Sequence, residues 1–451
     1  MYHLNIKNTI LVMLDNFINP INQSDVSCET LYLNCNLILK HVLREIDFSG
    51  LSEYQVDEHL INLVIVYLRK LVNVTIKPTK LVCIVMDGIV PNTKVCSQRM
   101  QFYKHGTTKE FNSNMIAPGT VFMQSLHDRI YGMIDLKIFS VPVLFSDSNH
   151  SGESVFKIFE HIKKSDCTNI VIYGETGLIV NCMANGFLDI YICKNDSEIF
   201  FVKDYIFSMF EHYKLVDKFE NNRKQVLLDT TLLFIMGGNV FVKACKLIQN
   251  GSQGFDTMIG QYASSNIQLI SFEKIDWFAV HKLFSLFLKD KSLEYDTSAM
   301  HTIQSIDTVC NDYMNSIIWS WAYFVSGRVL SWTYKYGYSE SPCIYEFTAR
   351  LPSLISNFRE LCSIDLSQGI PITPFAQLLS LLPRTCHSLL PSCFLKVMTS
   401  PSSLICKQYP PNETDSNIEL PDYNLITNQQ VVHSVSEFFT YDENKRNLVF
   451  I

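Results

Sequence analysis

The sequence lacks the short motifs that mark several common classes of enzyme and binding protein. It contains no glycine-rich phosphate loop, no pair of cysteines spaced for zinc and no nucleophile elbow. Internal repeats and long low-complexity tracts are also missing. These absences argue against a P-loop nucleotide hydrolase, a zinc-binding module, an α/β-hydrolase and a repeat protein.

Charge is scarce as well. Charged residues make up only 18% of the 451 residues, and the formal net charge is −7. A chain with this balance has no broad basic field for polyanions, so any contact with nucleic acid has to be local. Apolar residues make up 47% of the chain, which is more than a disordered protein carries. The composition predicts a folded protein with room for two domains, or one large domain and an appended one.

Signals for secretion or membrane insertion are not evident. The residues from Met1 to Lys7 lack the charged, apolar and small-residue order of a signal peptide. The apolar window from Leu60 to Val74 is interrupted by Arg69 and Lys70, so it falls short of the ~18–20 apolar residues of a membrane span. The 14 cysteines are spread along the chain, and we expect them to be reduced. We therefore predict an intracellular protein, cytoplasmic or nuclear, that is not secreted and does not bind a membrane.

Two hydrophobic patterns divide the chain. From residue 29 to about 245, apolar β-branched runs alternate with segments of helical period, which is typical of an α/β domain around a mostly parallel sheet. Beyond residue 245 the helical signals dominate. We predict an α/β domain over 1–245, a helical region over 246–407, and a tail over 408–451 that packs on or beside the core. The predicted strands are 31–33, 81–86, 142–145, 169–173 and 188–193, and the predicted helices include 55–74, 152–164, 227–236, 276–288 and 307–323.

One predicted strand leads directly into an acidic turn. The run 81–86 (LVCIVM) is continuously apolar, as expected for a strand buried on both faces, and Asp87-Gly88 follows it at once. A carboxylate at the end of such a strand is held rigidly, which is typical of sheets that bind metal at their carboxyl edge. The turn continues as DGIVP over 87–91 and is followed by Lys94 and by Gln98-Arg99.

Further motifs follow in a fixed order. They are SN at 113–114 with PGTVFM at 118–123, Gly152-Glu153 with Lys157, IYG at 172–174, and PITPF with QL and later LP pairs over 371–391. Together with the acidic turn, they resemble the Xrn family of 5′→3′ exoribonucleases from about residue 29 to residue 400. The resemblance implies an α/β fold with a mostly parallel central sheet flanked by helices, a PIN-like nuclease core, and a largely helical carboxyl-terminal region.

The resemblance also implies a reaction: hydrolysis of 5′-monophosphorylated RNA, one nucleotide at a time, with two divalent cations such as Mg²⁺. Two cations only ~4 Å apart need many carboxylates to neutralise and space them. Asp87, Glu153 and Glu175 remain as candidate catalytic acids, with Asp87 and Glu153 as candidate metal ligands. At four other acidic positions the sequence has Asn34, Val155, Gly177 and Val240. The sequence therefore predicts that hydrolysis is impaired or lost.

The part of the motif that the family uses to clamp the 5′-phosphate is partly kept. Lys94, Gln98 and Arg99 are the candidate phosphate-binding residues, whereas Gln101 and Phe102 stand where the family has a pair of arginines. Lysine holds a phosphate as a point charge, but arginine adds bidentate geometry. We therefore predict weak binding of a single-stranded RNA 5′ end.

Each candidate also has a purely structural interpretation. Asp87 is a good turn former before Gly88, and Glu153 near a helix start is favoured by the helix dipole. Lys94 and its neighbours would suit a solvated helix face. Trp332, the candidate base-stacking residue, belongs to a type that often serves as a core aromatic.

Three hypotheses remain open from the sequence. The chain is a degenerate Xrn-like protein that binds RNA 5′ ends or protein partners of the RNA decay or capping machinery, with no cofactor needed. Alternatively, it is an active Mg²⁺-dependent 5′→3′ exoribonuclease with a rearranged site. The third hypothesis is a scaffold that does not bind RNA. No feature indicates specificity for DNA.

Overall fold

In the computed structural model, the chain folds as two units. We name Val26–Tyr173 with Ile370–Ile451 the α/β unit, and Met1–Asp25 with Gly174–Gly369 the helical unit. The predicted boundaries at residues 245 and 407 stay predictions. The structure describes residues 15–22, 26–46, 53–105, 113–196, 198–245, 252–289, 306–338, 340–357, 369–390, 395–403, 406, 409, 439–442 and 447–450.

The strands and helices are numbered in chain order. The strands are β1 (Thr30–Asn34), β2 (Leu81–Val85), β3 (Val143–Ser146), β4 (Ile170–Tyr173), β5 (Ile190–Asn195), β6 (Glu198–Phe201), β7 (Ile270–Ser271), β8 (Lys274–Ile275), β9 (Phe439–Asp442) and β10 (Asn447–Phe450). The α-helices are α1 (Cys35–Glu45), α2 (Glu53–Lys70), α3 (Asn92–His105), α4 (Val121–Asp135), α5 (Ser154–Lys164), α6 (Leu178–Asn185), α7 (Val202–His212), α8 (Val216–Asn221), α9 (Arg223–Met236), α10 (Ser252–Ser264), α11 (Trp277–Phe287), α12 (Ile306–Ser326), α13 (Ile344–Ser356), α14 (Pro374–Leu381) and α15 (Leu395–Thr399). Leu71–Ile76 is a π-helix, and Ser113–Met115 and Arg384–Leu389 are 3₁₀-helices.

A parallel sheet forms the centre of the α/β unit. Its strands lie in the order β3-β2-β1-β4, with Thr30 of β1 in register with Leu81 on one side and Ile170 on the other. All residues of β1 and β4 are buried. Apolar runs of this kind suit strands that are covered on both faces. The predicted mostly parallel sheet, and each of these four predicted strands, are confirmed.

Helix α2 and the π-helix after it confirm the predicted helix over 55–74. The stretch Gln55–Ile76 is long and apolar enough to cross a membrane by length and composition alone, with a mean hydropathy of 1.4. In the α/β unit, α2 packs against α1 and α4. Its side chains at Leu60, Val64 and Leu68 are fully buried, so this stretch serves as a core helix of the unit.

The segment that returns from the helical unit packs against the acidic turn. Helix α14 contacts α3, and Gln377 Oε1 accepts a hydrogen bond of 2.8 Å from Val90 N. Gly119 has a φ of +95°, and a Cβ there would lie 3.3 Å from Pro374. The PGT and PITPF motifs are therefore packed together, and Gln377 fixes the loop that follows Asp87. A cluster of buried apolar side chains packs around this contact. Its members are Ala117, Phe375, Leu378, Leu379, Leu382, Cys386, Leu390, Met398 and Tyr409.

The helical unit confirms the predicted helices over 227–236, 276–288 and 307–323 as α9, α11 and α12. Its strands β5 and β6 are antiparallel, and the short pair β7–β8 was not predicted. Trp319 is fully buried and donates from Nε1 to Ser331 O at 3.0 Å, so this tryptophan is a core residue. In the tail, β9 and β10 form an antiparallel pair. The loop predicted over 408–417 lies, apart from Tyr409, outside the described residues.

Candidate functional site

The carboxyl edge of the parallel sheet collects polar residues from successive strands. Asn34 ends β1, Asp87 follows β2, and Asp147 directly follows β3. The Asn34 side chain accepts a hydrogen bond from Leu37 N at 3.3 Å and so caps α1. Asn36, in the first turn of that helix, accepts from Asp87 N at 2.7 Å. The amides on this edge therefore satisfy backbone groups and position the acidic turn.

Asp87 caps a helix that belongs to another part of the chain. Its Oδ1 accepts hydrogen bonds from Ser154 N at 2.7 Å and from Ser154 Oγ at 2.6 Å. A carboxylate at the first turn of α5 is stabilised by the unpaired N–H groups and by the helix dipole. Among the described residues, no hydrogen-bond donor contacts Oδ2. One carboxylate oxygen of this candidate ligand thus caps α5.

Glu153 and Lys94, which were predicted for two different roles, form an ion pair. Glu153 is the N-cap residue of α5, but its side chain makes no capping hydrogen bond there. Its Oε2 lies 2.7 Å from Lys94 Nζ, and the two side chains are only 10% and 16% exposed. The Glu153 side chain therefore does not cap α5, and Asp87 performs that function. The candidate metal ligand and the candidate phosphate cation neutralise each other.

Lys157 adds a buried positive charge beneath the same edge. Its Nζ donates hydrogen bonds to Met86 O at 3.0 Å and to Asp147 O at 3.1 Å. Burial lowers the pKa of Lys157 to about 8, although the nearby Asp87 and Asp147 carboxylates oppose that change. The ammonium ties the ends of β2 and β3 together through their backbone carbonyls.

Asp147 is a residue that sequence reasoning missed. It is 4% exposed, and its carboxylate lies 3.0 Å from His127 Nδ1 and 2.7 Å from His150 Nδ1. Burial by itself raises the pKa of Asp147, but the hydrogen bond from His150 and the close contact with the His127 imidazole outweigh it and hold the pKa well below its usual range. The 3.0 Å contact with the Asp147 carboxylate raises the pKa of His127. The available signal was its position two residues after the predicted strand 142–145, close to a strand end as for Asp87.

The remaining phosphate-binding candidates lie on α3. Gln98 is partly exposed, whereas Arg99 is 5% exposed and belongs to the interior of the α/β unit. Lys94 is also mostly covered because of its pair with Glu153. A solvated helix face is therefore the wrong interpretation for Lys94 and Arg99. Their role in binding phosphate stays a prediction.

Four further candidates lie in the helical unit. Glu175 is exposed, Gly177 is the N-cap residue of α6, Val240 lies in a turn after α9, and Trp332 is partly buried. Val155, at another position where the family has an acid, is a partly exposed residue of α5 in the α/β unit. The catalytic role of Glu175 and the stacking role of Trp332 stay predictions.

The side chains of the α/β edge do not fit the pair of divalent cations that the motifs imply. Within the described ranges, no three His, Cys, Asp or Glu side chains gather as a metal ion requires. Asp87 commits one oxygen to α5, Glu153 is held by Lys94, and the Asn34 amide caps α1. Two cations so close together need several anionic oxygens directed at the same space. The side-chain oxygens at this edge instead make hydrogen bonds and an ion pair within the protein.

Several known proteins are similar to this chain. Human 5'-3' exoribonuclease 1 is 22% identical over 500 residues, which cover 78% of this chain and 29% of the human protein. 5'-3' exoribonuclease 2 of Arabidopsis thaliana is 32% identical over 124 residues, which cover 26% of this chain and 11% of the plant protein. The chain thus spans less than a third of the length of these relatives. Among solved structures, the catalytic core of Rad2 in complex with DNA substrate matches with a TM-score of 0.38 and 12% identity, over 63% of this chain and 74% of that chain.

Two family models match successive parts of the sequence. The model described as XRN 5'-3' exonuclease N-terminus matches residues 4–110 and 102–195, and that described as Xrn1 helical domain matches residues 290–421. Both matches occur in the order that the motifs led us to expect. The chain therefore belongs to the Xrn family of 5′→3′ exoribonuclease-like proteins.

Proposed function

We propose that this protein is a non-hydrolytic member of the Xrn family that binds the 5′ end of single-stranded RNA. The observation that carries the proposal is the 2.7 Å ion pair between Lys94 and Glu153, both largely buried. A carboxylate that is neutralised by a lysine is a poor ligand for a cation. The charged groups kept at this edge therefore stabilise the fold, and they do not supply the negative charge of a two-metal centre.

The energetic argument concerns charge density. Two divalent cations in one cleft repel each other, and each missing carboxylate removes a unit of compensating charge. Asn34 and Val155 are uncharged at two positions within the α/β unit, so Asp87 and Glu153 are the acids left there by the motif. Each ~1.4 kcal/mol of lost transition-state stabilisation lowers a rate tenfold. Losing several ligands at once therefore removes metal-dependent hydrolysis.

The RNA part of the proposal depends on Lys94 and Gln98. Relatives in the family are named as exoribonucleases, and these residues match the motif that meets the 5′-phosphate. A phosphate that reaches Lys94 has to compete with the carboxylate of Glu153. Binding is therefore weak and depends strongly on salt, because the net charge of −7 gives no long-range attraction.

A nuclease assay tests the first half of the proposal. The full chain is incubated with 5′-monophosphorylated RNA and Mg²⁺ or Mn²⁺, and released mononucleotides are measured. We expect no release above background from either the wild type or Asp87→Ala. Digestion that Asp87→Ala abolishes would establish the alternative, an active 5′→3′ exoribonuclease.

A binding assay tests the second half. Anisotropy of labelled 5′-monophosphorylated RNA is followed with salt concentration for the wild type, Lys94→Ala and Lys80→Ala. Lys80 is the matched control because it also pairs with a glutamate, Glu29 at 2.8 Å, but directly precedes β2 at the opposite edge of the sheet. We expect Lys94→Ala alone to weaken binding and to reduce the salt slope by about 0.7. Lack of binding at low salt would leave the scaffold hypothesis, with its protein partners of RNA decay or capping.

A further inference from the structure

A surface cavity of about 440 Å³, open to solvent and lined by exposed polar residues, lies in the α/β unit at the edge of the sheet opposite the acidic turn. Its polar lining comes from Asn73 and Lys77, before β2, and from Lys137 and Ser140, before β3. Cavities of ~300–1,000 Å³ are typical of small-molecule sites. None of the site residues predicted from the sequence belongs to this cavity.

The charge of the cavity has one sign. Its lining contains two lysines and no carboxylate. Across the ranges that the structure describes, no acidic side chain forms an ion pair with Lys77 or Lys137. The neighbouring Lys80, by contrast, pairs with Glu29 at 2.8 Å. Two like charges that face one space are stabilised when an anion occupies it.

Both lysines adopt a backbone conformation that favours glycine. Lys77 directly follows the π-helix with a φ of +54°, and Lys137 follows α4 with a φ of +52°. Glycine or asparagine is usual at such helix ends because a side chain is unfavourable there. Residues held in this way cluster at ligand sites, and π-helices are frequent at functional sites. Two loops from separate parts of the chain thus place a strained lysine against the same cavity.

The donors in the cavity come from side chains. The backbone N–H groups of Lys77, Lys137 and Ile138 already donate to Val72 O, Ile134 O and Met133 O. The polar residues of the lining carry two ammonium groups, the Asn73 amide and the Ser140 hydroxyl as further donors. Lysine binds the tetrahedral phosphate as a point charge. The helix dipole places about half a negative charge at the carboxyl terminus of α4, and the two positive charges of the lysines exceed it.

The apolar part of the lining, which includes Val72 and Phe139, extends the cavity beyond what a simple anion needs. It provides a surface for a ribose or a base next to the charged end. We infer that this cavity is a second phosphate-binding site, which takes a nucleotide phosphate either as a free mononucleotide or as part of an RNA backbone. The inference does not depend on Lys94.

The test uses probes that separate this site from the Lys94 site. One probe is uridine monophosphate, followed by calorimetry, and the other is a labelled oligouridylate with a 5′-hydroxyl, followed by anisotropy. The variant Lys77→Gly/Lys137→Gly removes both charges and relaxes both backbones, so we expect an equal or higher melting temperature together with about tenfold weaker binding. The control, Lys80→Gln/Lys164→Gln, removes two lysines that are ion-paired elsewhere in the unit.

The outcomes separate the possible sources of the phosphate. Binding of the oligonucleotide alone, lost in the glycine variant and kept in the control, identifies an RNA backbone site. Binding of uridine monophosphate with the same pattern identifies a mononucleotide site. If neither probe binds the wild type at low salt, or if the glycine variant binds like the wild type, the inference is overturned.

Discussion

Lys94 Nζ and Glu153 Oε2 lie 2.7 Å apart, and this contact joins the first turn of α3 to the start of α5. Both residues match motifs that the family uses for chemistry on RNA. In this chain they satisfy each other in a setting that is mostly shielded from water. The pair therefore links two helices of the α/β unit within its interior.

Removing one partner of this pair is therefore expected to be more harmful than removing both. Lys94→Met leaves the Glu153 carboxylate buried and uncompensated, which costs about 3 kcal/mol in the free energy of unfolding. The double variant Lys94→Met/Glu153→Met removes both charges and is expected to be more stable than either single variant. Urea unfolding of the four proteins measures this coupling.

The Lys80–Glu29 pair provides the comparison, because the Lys80 side chain is 64% exposed. Its charges remain hydrated when one partner is removed, so we expect its single variants to change the unfolding midpoint little. Additive effects at Lys94 and Glu153 would show that their contact contributes nothing beyond two independent side chains.

The sequence predicted the elements of this fold well, and the reason is local. A continuous apolar run such as 81–86 indicates a strand that is buried on both faces of a parallel sheet. Asp87 was recognisable because it follows such a run. The ion pair was not predictable, because it depends on how α3 and α5 approach each other in space. Asp147 was missed because no motif includes it, and its importance follows from two histidines that lie 20 residues before it and 3 residues after it.

Asp87 is expected to matter for stability. Asp87→Ala removes the acceptor for Ser154 N and Oγ, which costs about 1–2 kcal/mol in the free energy of unfolding. Asp87→Asn keeps an acceptor oxygen, so we expect it to lose less than half as much. Thermal unfolding measures the stability of both variants. Repeating it with Mg²⁺ tests the metal site, because a ligand at 100 times its Kd adds about 2.7 kcal/mol to the free energy of unfolding. Stabilisation of the wild type by Mg²⁺ that Asp87→Asn abolishes would contradict the proposed function.

The Asp147 cluster predicts a pH dependence of stability. The lowered pKa of Asp147 gives stability that is present above its unfolded value of ~3.9 and is lost as the pH falls through the folded value. The raised pKa of His127 gives stability that is fully present below ~6.5 and is lost as the pH rises through the folded value. The wild type is therefore expected to lose stability above about pH 6.5, whereas Asp147→Asn loses this dependence.

The measurement is best made by urea unfolding between about pH 5.5 and 7, since the Lys157 pKa of about 8 leaves that group mostly charged there. His150 also faces Asp147 but is 43% exposed, so His150→Gln is expected to flatten the profile less than His127→Gln. Equal profiles for the wild type and Asp147→Asn would remove this cluster as the source of the effect.

Gly88 and Gly132 offer a pair of identical substitutions with opposite expected signs. A Cβ at Gly88 would lie 1.7 Å from His150 O, a backbone atom that Gly88 cannot avoid because its own N–H donates to Gly152 O at 2.9 Å. Gly88→Ala is therefore expected to lower the free energy of unfolding by about 3 kcal/mol. Gly132 lies within α4 with open space around it, so Gly132→Ala is expected to raise it by about 0.5–1 kcal/mol. The urea unfolding midpoints of the two variants test this prediction. If Gly88→Ala left the midpoint unchanged, the acidic turn and the 150–152 loop would not be packed this closely. The backbone that positions Asp87 against α5 would then be less tightly held.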